Sequence, residues 1–237
     1  MKLPVSVIIP AFNEGEYIGK LLASLKAQTS EPKEVIVVDA FSTDNTVEVV
    51  KKYGYKVVQD KAWIAEARNI GAKLTKQPLM LFLDADVILP SDFLEKIVTE
   101  FQERKLDAAS CYHIPLSAHK IDHVLYGVSN TYLQLMSYIS TRAFGYCILV
   151  KREFHNRIEG FDNSLAMAED HDYANRLSKL GDFGFIRSAK VPVSPRRFHE
   201  DGRVRLTAKI MAAEMHLLFI GNIKRPFFSY EFGQHTK

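Results

Sequence analysis

Four short apolar runs fall within the first 84 residues, and each is separated from the next by a stretch with helical spacing. VSVIIP (residues 5–10), EVIVVD (34–39), YKVVQD (55–60) and LMLFLD (79–84) have the length and β-branched or aromatic content of strands. Between them, residues 14–27 set Ile18, Leu21, Leu22 and Leu25 on one helical face. A second helix is expected to be capped by Ser42 or Asp44 and to run through Tyr53, and a third covers residues 63–74. Strands separated by such helices imply βαβ units and a parallel sheet. Strands without polar alternation fit a sheet covered on both faces. The expected class is therefore α/β, a Rossmann-like α/β/α sandwich with a mainly parallel central sheet.

Beyond residue 90 the rhythm loosens. Helices are expected at 91–104, 119–140, 168–180 and 203–220, a strand at 107–114, and a strand running into a helix at 144–154. No repeat, low-complexity stretch or Pro/Gly/Ser-rich linker divides the chain. One domain over 1–237 is expected, with a ligand-binding half (about 1–105), a second half (about 106–202) and a C-terminal amphipathic helix and tail (about 203–237). With 47% hydrophobic and 25% charged residues the chain has the balance of a soluble globular protein, and a net charge of +3 gives no argument for nucleic acid. Cys111 and Cys147 lack metal or CxxC spacing and are expected to be reduced, buried thiols. The apolar run at the N-terminus is short for a signal peptide, and no run approaches the roughly 20 residues of a spanning helix, so a cytoplasmic location is expected, at most peripheral at the inner face of the cell membrane.

In a parallel sheet, ligands bind outside the carboxyl ends of the strands. Three polar clusters fall at such ends: Asn13 and Glu14, Asp39, and the pair Asp84 and Asp86 around Ala85. Carboxylates gathered at one edge repel one another unless a cation or a donor-rich ligand compensates. Hard oxygens two residues apart suit Mg²⁺ or Mn²⁺, which typically take one or two carboxylates together with substrate phosphates. Taken alone, a DxD tripeptide is more often a solvated turn or a helix cap.

In combination, VSVIIPAFNEGEYI, EVIVVDAFSTDNT and EARNIGAKLTKQPLMLFLDADV resemble, in order and spacing, the glycosyltransferase family 2 pattern. The resemblance is close over about the first hundred residues. It implies the GT-A fold, a nucleoside-diphosphate sugar donor and inverting transfer to an acceptor hydroxyl. It places Pro10, Ala11, Asn13 and Glu14 in the loop against the nucleotide, Asp39 on the base, and Arg68 of the ARNxG element on the diphosphate. Within Asp84-Ala85-Asp86 it gives Asp86 the metal and Asp84 the ribose or a water-mediated metal contact. The usual acidic, glycine-containing run after the second strand here reads Asp39-Ala40-Phe41-Ser42, which leaves the base unassigned.

AEDHDYANRLSKLG looks like the family's ED element, which places Glu169 with the donor-binding residues and makes Asp170 the catalytic base. A carboxylate at a helix N-terminus is held as the anion, and plain helix capping would use the same residues. Arg176 is expected to pair with one of these acids or with a phosphate. In PRRFHEDGR, Arg196 and Arg197 are candidates to clamp the departing diphosphate, and His199 to complete the metal shell. His113, His119 and His123 form no recognisable constellation.

The expected cofactor is Mn²⁺ or Mg²⁺. The expected partners are the donor and a glycan, lipid-linked or small-molecule acceptor, with no nucleic acid; peripheral membrane contact by the C-terminal helix and a homodimer stand open. The processive members' QxxRW-type motif and membrane spans are not seen. A sugar nucleotidyltransferase would need a Gly-rich, basic first loop, where this chain has AFNEGEY. A catalytically silent nucleotide-binding or scaffold subunit is the other reading, and only turnover separates it from an enzyme.

Overall fold

The structure, a computed structural model, describes residues 2–224, with the His199 side chain excepted. Seven strands form one sheet in the order β3-β2-β1-β4-β6-β5-β7. The predicted strands are β1 (Lys2–Ala11), β2 (Glu31–Asp39), β3 (Lys56–Gln59), β4 (Leu79–Phe82), β5 (Ala108–Pro115) and β6 (Ile148–Lys151); β7 (Phe183–Val193) completes the set. Neighbours run parallel except around β6, which is antiparallel to both β4 and β5.

The continuous apolar runs find their explanation in this packing. Val7 and Ile9 point into the larger core while Ile8 between them enters a second core on the opposite face. Leu79 and Leu81 divide from Met80 and Phe82 in the same way, so these stretches have no exposed face to set a polar alternation. Helix α1 (Ile18–Lys26) buries Ile18, Leu21, Leu22 and Leu25, and α4 (Phe93–Glu103) buries Phe93, Leu94, Ile97, Val98 and Phe101, all in the larger core. On the other face, α3 (Ile64–Leu74), α6 (Arg152–Arg157) and α7 (Glu169–Ser178) contribute Ala65, Phe154 and Tyr173. Each large apolar side chain so buried stabilises the fold by about 1.5–3 kcal/mol.

The remaining helices are α2 (Thr46–Lys52), α5 (Lys120–Met136), α8 (Arg196–Glu200) and α9 (Arg203–Phe219). Asp44 serves the start of α2, its Oδ1 accepting the Thr46 N–H at 3.0 Å. Ser42, the other predicted cap, turns instead to Asp39. Strand β7 was not expected, because Arg187, Ser188 and Lys190 break its apolar pattern. Opposite them the pairing with β5 shifts between Cys111 and Tyr112, and Glu100 of α4 accepts the N–H groups of Arg187 and Ser188 at 2.7–3.0 Å. Burial works against the Glu100 anion, but these N–H groups and Arg104 win and hold its pKa at about 2. Cys111 and Cys147 are free and buried, as expected, with sulfurs 3.2 Å apart. Among the described residues no helix is long and apolar enough to cross a membrane. Residues 225–237 of the expected tail lie outside the described residues.

Candidate active site

The carboxyl ends of β1, β2 and β4 bring the three polar clusters to one edge of the sheet. At the end of β1, Pro10 and Ala11 are buried, and Asn13 adopts a left-handed backbone (φ 53°) that turns the chain toward the β2 loop. The two loops lock together. The Asn13 N–H donates to Ser42 Oγ (2.8 Å), Thr43 N–H donates to Asn13 Oδ1 (2.8 Å), and the Glu14 N–H donates to Thr46 Oγ1 (2.8 Å). Asp39 stands behind this junction with none of its surface exposed. It accepts hydrogen bonds from the Ser42 hydroxyl, the Ser42 N–H (3.0 Å) and Gln59 Nε2 (3.0 Å). Its first duty is therefore to hold the loop, and a nucleobase would reach it only if Ser42 gave way.

Asp84 and Asp86, which enclose buried Ala85, part company onto two different arginines. Asp84 Oδ1 accepts from Arg68 Nη2 at 2.9 Å, and Asp86 Oδ2 lies 3.2 Å from Arg196 Nε. The rest of the Arg196 fork grips Glu14 with two 2.6 Å bonds, and its guanidinium covers the Tyr17 ring at 4.6 Å. Arg196, Glu14 and Asp86 thus meet from three distant segments in a nearly buried triad. Burial raises the pKa of Asp86, with the charges of Arg196 and Arg197 opposing that effect. Strand β7 braces the same loop: Val87 bridges to Val193, and the Ser194 N–H donates to the Asp86 carbonyl at 3.0 Å.

Arg68 departs from expectation. It is 1% exposed and does not present its fork to the cleft. Nη1 bonds Glu169 at 2.8 Å, Nη2 bonds Asp84, and Nε has no partner among the described residues. Its geometry is that of a brace between the end of β4 and the start of α7.

Helix α7 starts abruptly from Ala168, whose left-handed backbone (φ 59°) precedes Glu169, turned inward to Arg68, and Asp170, set against the Gly145 backbone. Asp170 Oδ2 accepts the Gly145 N–H at 2.7 Å, and Oδ1 accepts the His171 N–H at 2.8 Å. Burial pulls the His171 pKa down, yet Asp170 and Glu214 more than offset it and raise the value to about 9. The contacts agree with a cation, since Nδ1 faces the Ala143 carbonyl (2.6 Å) and Nε2 faces Glu214 (2.9 Å). Arg176, as expected, pairs with a neighbouring acid, Asp172, at 2.7 Å. Gly145, His171 and Glu214 were not singled out from the sequence. A glycine between aromatics, Phe144-Gly145-Tyr146, was the one local signal.

Two hollows mark the surface, and one of them reaches a candidate residue. One, of about 180 Å³, opens beside Asp86 and is lined by Tyr17, Lys20, Leu116 and Pro195. The larger, about 610 Å³, lies at the amino ends of β1 and β4, against Pro4 and Pro78, remote from every candidate residue. Strand polarity selects the smaller one. Its one carboxylate is Asp86, already held by Arg196, so a divalent cation there would take an oxygen from that ion pair and complete its shell from a diphosphate and water. Among the described residues no three His, Cys, Asp or Glu side chains form a cage without such a ligand. The predicted ligand His199 lies on α8, and its side chain is outside the described residues.

A mainly parallel sheet with acidic loops at this edge and an acidic helix start facing them is the GT-A glycosyltransferase architecture. The chain belongs to glycosyl transferase family 2, whose family model matches residues 6–158. An uncharacterised glycosyltransferase of Haemophilus influenzae is 28% identical over 183 residues, 73% of this chain, and the chain spans 61% of that relative's length. Among solved structures, the mannosyltransferase PcManGT of Pyrobaculum calidifontis, in complex with GDP-Man and Mn²⁺, superposes with a TM-score of 0.68 at 21% identity, covering 93% of this chain and 71% of that one. Staphylococcus aureus TarS (residues 1–349), in complex with UDP-GlcNAc, gives 0.67 at 22% identity, covering 83% and 59%.

Proposed function

We propose that this protein is an inverting glycosyltransferase that moves one sugar per encounter from a nucleoside-diphosphate sugar to an acceptor hydroxyl. The observation that carries the reading is the seating of Asp170. Its two oxygens are fixed by the Gly145 and His171 N–H groups, on the same sheet edge as Asp84 and Asp86. The family membership and the nucleotide sugars bound by TarS and PcManGT support a donor of this class.

Asp170 accepts the acceptor hydroxyl's proton while that oxygen attacks the anomeric carbon from the face opposite the diphosphate. The new C–O bond forms as the bond to the diphosphate oxygen breaks, and the nucleoside diphosphate leaves with the electron pair. Asp86, with Asp84 beside it, would hold a Mn²⁺ or Mg²⁺ that supplies positive charge against the diphosphate. Arg197, with Arg196 once its fork leaves Glu14 and Asp86, offsets the remaining charge that develops as the group departs. Within this scheme Arg68 positions Asp84 and Glu169, and the first loop at Pro10, Ala11, Asn13 and Glu14 takes the nucleotide. A base contact by Asp39 accompanies displacement of the Ser42 hydroxyl.

Asp170→Asn tests the assignment. Transfer from a radiolabelled nucleotide sugar is expected to fall by at least about a hundredfold, with nucleoside-diphosphate binding unchanged by calorimetry. A variant that retains comparable turnover removes Asp170 from the mechanism.

A further inference from the structure

Helices α5 and α9 lie on the surface side by side and in the same direction. They are tied at one end by Arg203 to Asp122 (2.6 Å) and at the other by Tyr132 to Glu214 (2.5 Å). Both present apolar side chains to the outside. Along α5 these are Ile121, Val124, Val128 (63% exposed) and Leu135, at the three- and four-residue spacing of one helical stripe. On α9 only Leu206 is buried, while Met211 (62% exposed), Met215, Leu218 and Phe219 (77% exposed) face outward. Large apolar side chains exposed in number along two tethered helices mark an interaction face.

The charge on the same face identifies what meets it. Residues 116–142 and 203–224 contain six lysines and arginines but only two carboxylates, Asp122 and Glu214. Both carboxylates are turned inward and paired, Asp122 with Arg203 and Glu214 with Arg142 and His171. Every carboxylate of these segments is thus spent, and Lys120, Arg205 and Lys224 remain exposed around the apolar stripe. Of the six cations, Arg142, Arg203 and Lys209 are paired with Glu214, Asp122 and Asp201, so the charge presented outward is that of Lys120, Arg205 and, beyond the end of α9, Lys224. A second copy docked here would bring like charges together, which disfavours association. An anionic lipid surface matches both the apolar stripe and its cationic rim. Among the described residues no helix suits a span, so the helices would lie in the interface plane.

We infer that the α5–α9 face docks this protein on an anionic bilayer surface. Because Glu214 reaches from α9 to His171, the residue after Asp170, the docked face adjoins the candidate catalytic edge. The test is sedimentation of the full chain with vesicles of phosphatidylcholine containing one third phosphatidylglycerol, against vesicles of phosphatidylcholine alone. The wild-type protein is expected to partition onto the anionic vesicles at least about tenfold more strongly, and Met211→Glu/Leu218→Glu to lose that binding. Both positions are exposed, so the double variant should unfold at the wild-type temperature and bind nucleoside diphosphate as before. Wild-type protein that stays in the supernatant overturns the inference, as does equal sedimentation of the double variant. So does a dimer by light scattering that the double variant splits without lipid, since the occupant is then a second copy. None of these outcomes depends on turnover, so a failed docking result and a failed transfer reading are separable.

Discussion

Gly145→Ala is the perturbation that reads the site's construction most sharply. A Cβ built at Gly145 would lie 2.1 Å from Arg68 Nη2 and 2.9 Å from its Cζ, far inside van der Waals contact. A flexible side chain would swing aside, but Arg68 is pinned by Asp84 at 2.9 Å and Glu169 at 2.8 Å and rests on the Phe161 ring at 5.2 Å. If the arginine moves, a buried ion pair opens at a cost of about 3–5 kcal/mol. If the backbone moves instead, overpacking costs about 1–3 kcal/mol and the Gly145 N–H is drawn off Asp170. Between them the two routes span a loss of about 1–5 kcal/mol, a fall in Tm of roughly 2–20 °C for a chain this long. Turnover is expected to fall by more than nucleotide binding, because the displaced N–H serves Asp170. Gly127→Ala is the matched control. Gly127 sits inside α5 with nothing within 4 Å of its would-be Cβ, so the change should stabilise by about 0.5–1 kcal/mol. Urea unfolding of both variants decides it: a Gly145→Ala protein within about 0.5 kcal/mol of wild type would refute the claim that Arg68 is an immovable brace.

The raised pKa of His171 makes stability depend on pH. Since the folded value of about 9 lies above the ordinary 6.5, the stabilisation is fully present below pH 6.5 and is lost as pH rises through 9. Between neutral pH and about pH 9.5 the loss is as much as about 2 kcal/mol; urea midpoints should fall accordingly for wild type, and a His171→Gln protein should lack that fall. Arg196→Lys replaces a fork that serves Glu14 and Asp86 together with a point charge, and should cost about 1–3 kcal/mol. Thermal unfolding without ligand checks this, and an unchanged Tm contradicts the triad.

What was legible in the chain follows from how local each interaction is. The strands β1, β2 and β4 are written into the sequence because both faces of the sheet are buried, so residues 7–9, 35–38 and 79–82 run apolar without polar alternation. The acidic clusters were legible because strand polarity alone sends them to one edge. Strand β7 was hidden because Glu100, 87 residues away, satisfies the polar stretch that disguises it. Arg68, expected on the diphosphate, has its fork turned onto Asp84 and Glu169 instead. Its partners Asp84 and Glu169 lie 16 and 101 residues off, so nothing nearby shows that its charge is already matched. The Glu214–His171 contact, 43 residues apart, has no local signature at all.

The central claim, that the acidic edge at Asp84 and Asp86 receives a metal-bound nucleoside diphosphate, is met most directly by thermal unfolding with UDP, GDP, CDP and dTDP, each with Mn²⁺ or with EDTA. A ligand at a hundred times its Kd stabilises by about 2.7 kcal/mol, roughly 5–11 °C here. The account predicts a shift of that size with one base, abolished by EDTA and by Asp86→Asn. No shift with any of the four, metal present, would contradict it.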